Sequence, residues 1–248
     1  MSREAGAQPD DARDGAVAAF GGVGWRAAAG MLAAVLGIWF LYSIQSELRS
    51  ATPEGLANRE RDFSIFFGAA RLALEGRFTD SFDAGIMKAI TGWDDEDAIF
   101  VIWLYPATTL VAMAPLGLMS PGMAWLTIVL ASSVGYVLAM RPYLAGLPGP
   151  LKILPFAAPT IFIALFTGHF TLVLGALILA AVAALGRGRA VLAGVLIGLV
   201  SVKPQLGLLL PVALAAAGAW RAFAAAAATV IAMVLLATFV TGIDYWPA

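Results

Sequence analysis

Cysteine is absent from the 248 residues, which excludes disulfides, thiol nucleophiles and Cys-ligated zinc or iron–sulfur centres. Histidine occurs once, at His169, so neither a His-based metal cluster nor a relay between two histidines can be built. Charge is scarce too: 12% of residues, balanced to a net −1, leave no excess of positive charge to draw the molecule to nucleic acid. No carboxylate lies between Ile99 and Gly242, which confines any general base to the first hundred residues or the last five. What is plentiful is apolar surface. At 61% hydrophobic residues and a mean hydropathy of +0.88, the chain is too apolar for a water-soluble domain and reads as an integral membrane protein.

Of the 31 charged side chains, 24 fall in residues 1–98, and this asymmetry divides the chain. Residues 1–24 form a polar N-terminal tail of mixed charge, unlike a secretory leader. Trp25 to Ile44 is long enough for a first transmembrane helix, placed at 25–45. Residues 46–98 carry six basic and eleven acidic residues and form an extended polar loop. The remainder, 99–248, is a multi-spanning helical region with apolar runs near 99–119, 122–140, 152–167, 169–186, 190–217 and 222–240, seven segments with the first. The expected fold is therefore all-α, a polytopic transmembrane helical bundle.

The basic turns give mixed advice on orientation, and in one reading of them Arg187 and Arg189 in one short connection and Trp220-Arg221 in another mark cytoplasmic ends. Residues 190–217 must then enter and leave on one side, as a hairpin or broken helix bent near Lys203-Pro204. An extracytoplasmic 46–98 loop needs one more irregularity, for which Pro106, Pro115, Pro155 and Pro159 offer breaks.

Within the polar loop, residues 61–76 have helical periodicity. Phe63, Phe66, Phe67, Ala70, Ala73 and Leu74 share one face, Ser64, Gly68, Arg71 and Glu75 the other, and Gly76 is a C-terminal stop. The pattern predicts an amphipathic helix in the membrane interface. Asp62 sits in its first turn, where two readings compete: a carboxylate placed to act as general base at the boundary, or an acid favoured by the helix dipole. Asp94-Asp95-Glu96-Asp97 is either a solvated run or an accessory site for a hard divalent cation. Trp103 and Tyr105, beside Pro106, read either as interfacial anchors or as a platform for a sugar or prenyl chain. His169 at a helix start is either an interfacial side chain or a ligand contact. Lys203-Pro204-Gln205 lies inside a long apolar stretch, and an intramembrane lysine at a broken helix suits an anionic phosphate. Gly194 and Gly198 form a G-x-x-x-G pair suited to helix packing.

The order of these pieces resembles a known family. One membrane helix is followed by Asp62-Phe63 heading an aromatic helix that ends Leu74-Glu75-Gly76. Then come Leu104-Tyr105-Pro106, Ala114-Pro115-Leu116, Gly168-His169, Lys203-Pro204-Gln205-Leu206-Gly207 and Leu208-Leu209-Leu210-Pro211. Over about residues 25–221 the chain is similar to glycosyltransferase family 87. These are membrane enzymes of the GT-C type that use polyprenyl-phosphate-linked sugars and include polyprenol-phosphate-mannose-dependent α-1,2-mannosyltransferases. The resemblance implies a hexosyltransferase in a bacterial plasma membrane, with an extracytoplasmic active site, a lipid or glycan acceptor and no cofactor beyond the donor substrate, a divalent metal being left open. It implies Asp62 as the base. The chemistry of a departing phosphate then asks for a cation, Lys203 with Arg71 or His169, and Gln205 beside it, while Tyr105 and Trp103 would contact sugar or prenyl units. The family usually has Tyr-Pro-Pro where this chain has Tyr105-Pro106-Ala107, and Gly-Gln where it has Gly168-His169. Members are usually longer, so the resemblance also implies that the helical region is incomplete at its C-terminus. A different class, a transporter or flippase for an anionic or lipid-linked substrate, would use Lys203 and tolerate loss of Asp62.

Overall fold

Apolar sequence punctuated by Gly and Pro folds here into helices of unequal length, and no strand occurs among the described residues. The computed structural model describes residues 61–92, 102–207 and 209–246, all within the compact unit Arg49–Ala248. The tail, the helix expected at 25–45 and the acidic run Asp94–Asp97 lie outside the described residues.

Helix α1, Arg61–Leu74, is the helix expected from residues 61–76. It ends as the glycine predicts: Gly76 takes φ +72°, and the Arg77 amide turns back to the Leu72 carbonyl at 2.9 Å. A 3-10 turn, Thr79–Phe82, leads into α2, Ala84–Thr91, whose first turn is capped by Asp83 accepting from the Ile86 amide at 2.9 Å. The aromatic face of α1 does not lie against headgroups. Phe63, Phe66 and Ala70 are buried in protein, while Leu72 on another side packs against Met87 of α2 with both fully enclosed. Periodicity shows which face is apolar; it does not show what covers that face.

Part of the cover is the second apolar run. Instead of one long helix over 99–119, the chain makes α3, Ala107–Met113, and a 3-10 turn, Ala114–Leu118, in which Pro115 interrupts the ladder. This bent piece lies on α1, so closely that a Cβ at Gly117 would come within 2.8 Å of the Ala70 carbonyl oxygen. It is too short to be one of the membrane spans counted from hydropathy.

Two described helices are long and apolar enough to cross a membrane: α4, Pro121–Leu144, and α10, Trp220–Thr241. Only 22% and 11% of their most apolar stretches are buried, and Leu235 and Phe239 of α10 are among the side chains left outside. Helices so little enclosed are not the core of a soluble domain; their outward surface matches hydrocarbon. Their hydroxyl groups bond to their own backbone, as Thr127 does to Met123 and Thr238 to Val234, both at 2.8 Å.

Between them run shorter pieces. A 3-10 stretch, Gly149–Phe156, breaks into α5, Pro159–Phe166, and the Tyr136 hydroxyl donates to the Pro155 carbonyl at 3.2 Å. Then come α6, Thr171–Gly186, and α7, Ala190–Leu199, joined by Arg187-Gly188-Arg189. After α7 the chain makes a 3-10 turn, Val200–Val202, bends at Lys203, and continues as α8, Pro204–Gly207, and α9, Leu209–Ala216. The break expected near Lys203-Pro204 is there. Leu214 of α9 shares a cluster with Ala184, Ala193 and Ala222, so the chain returns to the end from which α7 set out.

Contacts step together along two helix pairs. Trp125 meets Gly168 and Gly135 meets Ala176, so α4 and α6 run parallel. Gly194 meets Ala222 and Gly198 meets Ala226 and Thr229, so α7 and α10 also run parallel. Arg141, Arg187, Arg189 and Arg221 therefore gather at one end, as the positive turns predicted. The G-x-x-x-G pair is a packing seam: a Cβ on Gly194 would sit 2.2 Å from the Ala222 carbonyl oxygen, and one on Gly198 2.5 Å from Thr229 Cβ. Gly198→Val should therefore lower the thermal midpoint of the detergent-purified protein, by about 1–3 kcal/mol of overpacking. Gly122→Ala, where a Cβ meets nothing within 4 Å, should leave the midpoint in place.

Candidate active site

At the end opposite the arginines, segments far apart in sequence meet around Phe66. Its ring, 1% exposed, makes edge contacts with Trp103 at 6.0 Å, Tyr105 at 5.5 Å, and His169 and Phe170 at 5.3 Å each. Each such pair adds about 0.5–1.5 kcal/mol to the burial of its rings. The loop carrying Trp103 and Tyr105 is fixed from behind, since the Trp103 amide donates to the Ser81 carbonyl at 2.9 Å.

Trp103 is fully buried. It forms the floor beneath Tyr105, with ring centroids 5.1 Å apart. Tyr105 itself is half-buried, and its hydroxyl lies 3.3 Å from His169 Nε2. The other ring nitrogen is engaged as well. His169 Nδ1 accepts from the Thr171 amide at 3.1 Å and lies 2.6 Å from the Thr171 hydroxyl. An acceptor at Nδ1 assigns the neutral imidazole its proton at Nε2, so His169 donates to the Tyr105 oxygen. The Tyr105 hydroxyl proton is then directed to an acceptor other than His169. Sequence reading named His169 and Tyr105 but not Thr171, whose only signal was its place two residues after the histidine.

The turn that presents His169 depends on Gly168. It has φ +60°, and a Cβ there would come within 2.7 Å of Trp125 Cδ1 and 3.1 Å of Phe63 Cβ. The Gly168-His169 turn thus abuts the first turn of α1, in which Asp62 immediately precedes Phe63.

The hairpin tip arrives from a third direction. Val202 packs on the cluster that holds Phe66, Trp103 and Phe170, and its carbonyl accepts a short hydrogen bond from the Thr109 hydroxyl. Lys203, next in the chain, is half-buried and extended at φ −119° and ψ 90°, which places its backbone at the edge of the same cluster. Gln205 is exposed on the short helix beyond. Arg71 is not brought here: it is exposed and reaches the Gly117 carbonyl at 3.5 Å. Among the described residues, no three His, Asp or Glu side chains gather as a metal site.

Tyr245 closes the cluster from the end of α10 and was not foreseen from sequence. It is buried against Phe82, and its hydroxyl donates to the Tyr105 carbonyl at 3.4 Å. Burial pushes its phenol up to about 12, while the Trp103 indole and Ser81 act the other way. Among the described residues, no acceptor meets the Trp103 Nε1 proton with hydrogen-bond geometry. A raised value means that the neutral phenol stabilises the fold. That contribution is complete below the ordinary value of 10 and is lost as pH climbs from 10 through about 12. The thermal midpoint should fall across that interval, and Tyr245→Phe should fall less steeply.

Comparison with known proteins accords with this convergence. No curated protein and no solved structure matches the chain. The sequence model described as glycosyltransferase family 87 matches residues 103–248, from the Trp103 loop through the hairpin to the end. That stretch contains Tyr105, His169 and Lys203, and the match leaves the transporter reading without support. The chain belongs to glycosyltransferase family 87, a family of membrane glycosyltransferases.

Proposed function

We propose that this protein transfers a hexose, with mannose the first candidate, from a polyprenyl-phosphate donor to a hydroxyl of a lipid or glycan acceptor. The observation that carries the reading is the meeting, at one end of the fold, of the α1 start with Asp62, the Tyr105 loop, the Gly168-His169 turn and the Lys203 break. These pieces are spread over some 140 residues of sequence, and packing alone does not require chemistry-bearing residues to coincide.

A sugar on a polyprenyl phosphate already carries its leaving group. Asp62 takes the acceptor hydroxyl proton; the acceptor oxygen bonds to the anomeric carbon; the carbon–oxygen bond to phosphate breaks, and polyprenyl phosphate departs with the electron pair. A single base on the face opposite the leaving group gives inversion. Lys203 offsets the charge developing on the phosphate, with Gln205 beside it. Tyr105, oriented by His169, donates to an oxygen of sugar or phosphate. The arginine-rich end faces the cytoplasm, so the site lies on the extracytoplasmic side, in the plasma membrane of a bacterium.

The test uses membranes expressing the chain and radiolabelled polyprenyl-phosphate mannose, with transfer to endogenous lipid acceptors as the readout. Asp62→Asn should reduce transfer by about 100-fold or more, the scale of a lost general base. Transfer unchanged by that substitution would remove Asp62 from the mechanism. His169→Gln should retain most of the rate, because an amide can still donate to Tyr105, whereas His169→Ala should lose about tenfold, the scale of one hydrogen bond.

A further inference from the structure

A groove runs between α4 and α6 away from the site, toward the arginine end. Its upper part, about 410 Å³, is walled almost wholly by small or apolar side chains, among them Ala131, Gly135, Ala139, Ala176 and Ala180. Its lower part, about 170 Å³, shares Leu138, Ala139 and Ala180 with the upper and is flanked by Arg187 and Arg189. The two parts therefore adjoin along the same helix pair. From Ala131 to Pro142 the α4 wall rises about 16 Å. That is about half of a 30 Å hydrocarbon core, the depth of one leaflet.

Both arginines are exposed, and Arg187 spends one donor on the Ala183 carbonyl at 3.2 Å. A guanidinium has five donors, so most remain for an anion. No carboxylate occurs anywhere on α4, α6, α7 or their connections to neutralise this end. An apolar trough one leaflet deep, ending in two arginines that pair with no carboxylate among the described residues, at the cytoplasmic face, has the polarity of a phospholipid with an anionic headgroup.

We propose that this groove is a binding site for an anionic membrane phospholipid of the cytoplasmic leaflet, one acyl chain lying along Gly135 and the phosphate meeting Arg187 and Arg189. The site is separate from the catalytic end, and its occupant is neither donor nor acceptor of the sugar. The charge complementarity favours a phospholipid over an uncharged chain, and the depth favours a lipid over a free anion.

The test is native mass spectrometry of the full chain, released from nanodiscs made of equal parts phosphatidylglycerol and phosphatidylcholine. Phosphatidylglycerol should be retained over phosphatidylcholine by about tenfold, the effect expected of two arginines at an anionic surface. Arg187→Gln with Arg189→Gln should bring the two lipids to equal retention. Gly135→Leu should fill the trough and abolish retention of both, while Gly135→Ala, whose Cβ meets Ala176 at an ordinary 3.8 Å, should keep the helix pair and the phosphatidylglycerol preference. Equal retention of the two lipids by the wild type would overturn the proposal, as would retention unchanged in both the double arginine variant and Gly135→Leu. Displacement of phosphatidylglycerol by equimolar polyprenyl phosphate would reassign the groove to the sugar carrier. A lipid-free dimer that Gly135→Leu dissociates would give it to a second copy, and a lipid-free monomer to another segment of this chain.

Discussion

The Phe66 ring holds together the end of the fold opposite the arginines. It touches four other aromatic rings that belong to two further segments of chain, the Trp103–Tyr105 loop and the His169-Phe170 turn. Neither segment is regular structure, and neither would keep its shape alone. Edge-on contacts fix the tilt of each ring as well as its distance, because the positive edge of one seeks the negative face of another. The tilt of His169 in turn decides which nitrogen faces Tyr105. A purely apolar side chain thus controls the geometry of two polar ones.

A second constraint comes from the low-dielectric surroundings. Irregular backbone at membrane depth is tolerated only where protein satisfies its polar groups, and three breaks among the described residues have such a partner. The Val202 carbonyl at the hairpin tip receives the Thr109 hydroxyl, the Pro155 carbonyl receives Tyr136, and the Tyr105 carbonyl receives Tyr245. These hydroxyls come from neighbouring elements, so the bends that shape the site are also the joints that fasten the helices to one another. Lys203 can sit at a break because the break is already held on its far side.

Much of the framework was legible in the sequence. The helix over 61–76 with its glycine stop, the bend at Lys203-Pro204, the packing role of Gly194 and Gly198 and the gathering of arginines at one end all follow from local rules. Proline geometry, glycine conformation and charge bias act through neighbours in the chain. What could not be read depends on partners distant in sequence. Hydropathy marked 99–119 as a span, but Pro115 divides it and α1 offers it a surface within the protein. The same exchange of partners buries the aromatic face of α1 and the Trp103 ring. Tyr245 carried no signal at all, since its meaning lies in a carbonyl 140 residues earlier. Within the site, the motif residues were identifiable one by one, whereas the Thr171–His169–Tyr105 chain is a property of three-dimensional order.

The seam between α7 and α10 has a mechanical corollary. Where Gly194 and Gly198 let backbone lie against the carbonyls of Ala222 and Ala226, the two helices fit like teeth and can slide only by whole steps. The hairpin that ends in Lys203 cannot swing independently of the last helix. Any motion of that hairpin carries the last helix with it, and with that helix the Tyr245 turn that fastens the Tyr105 loop.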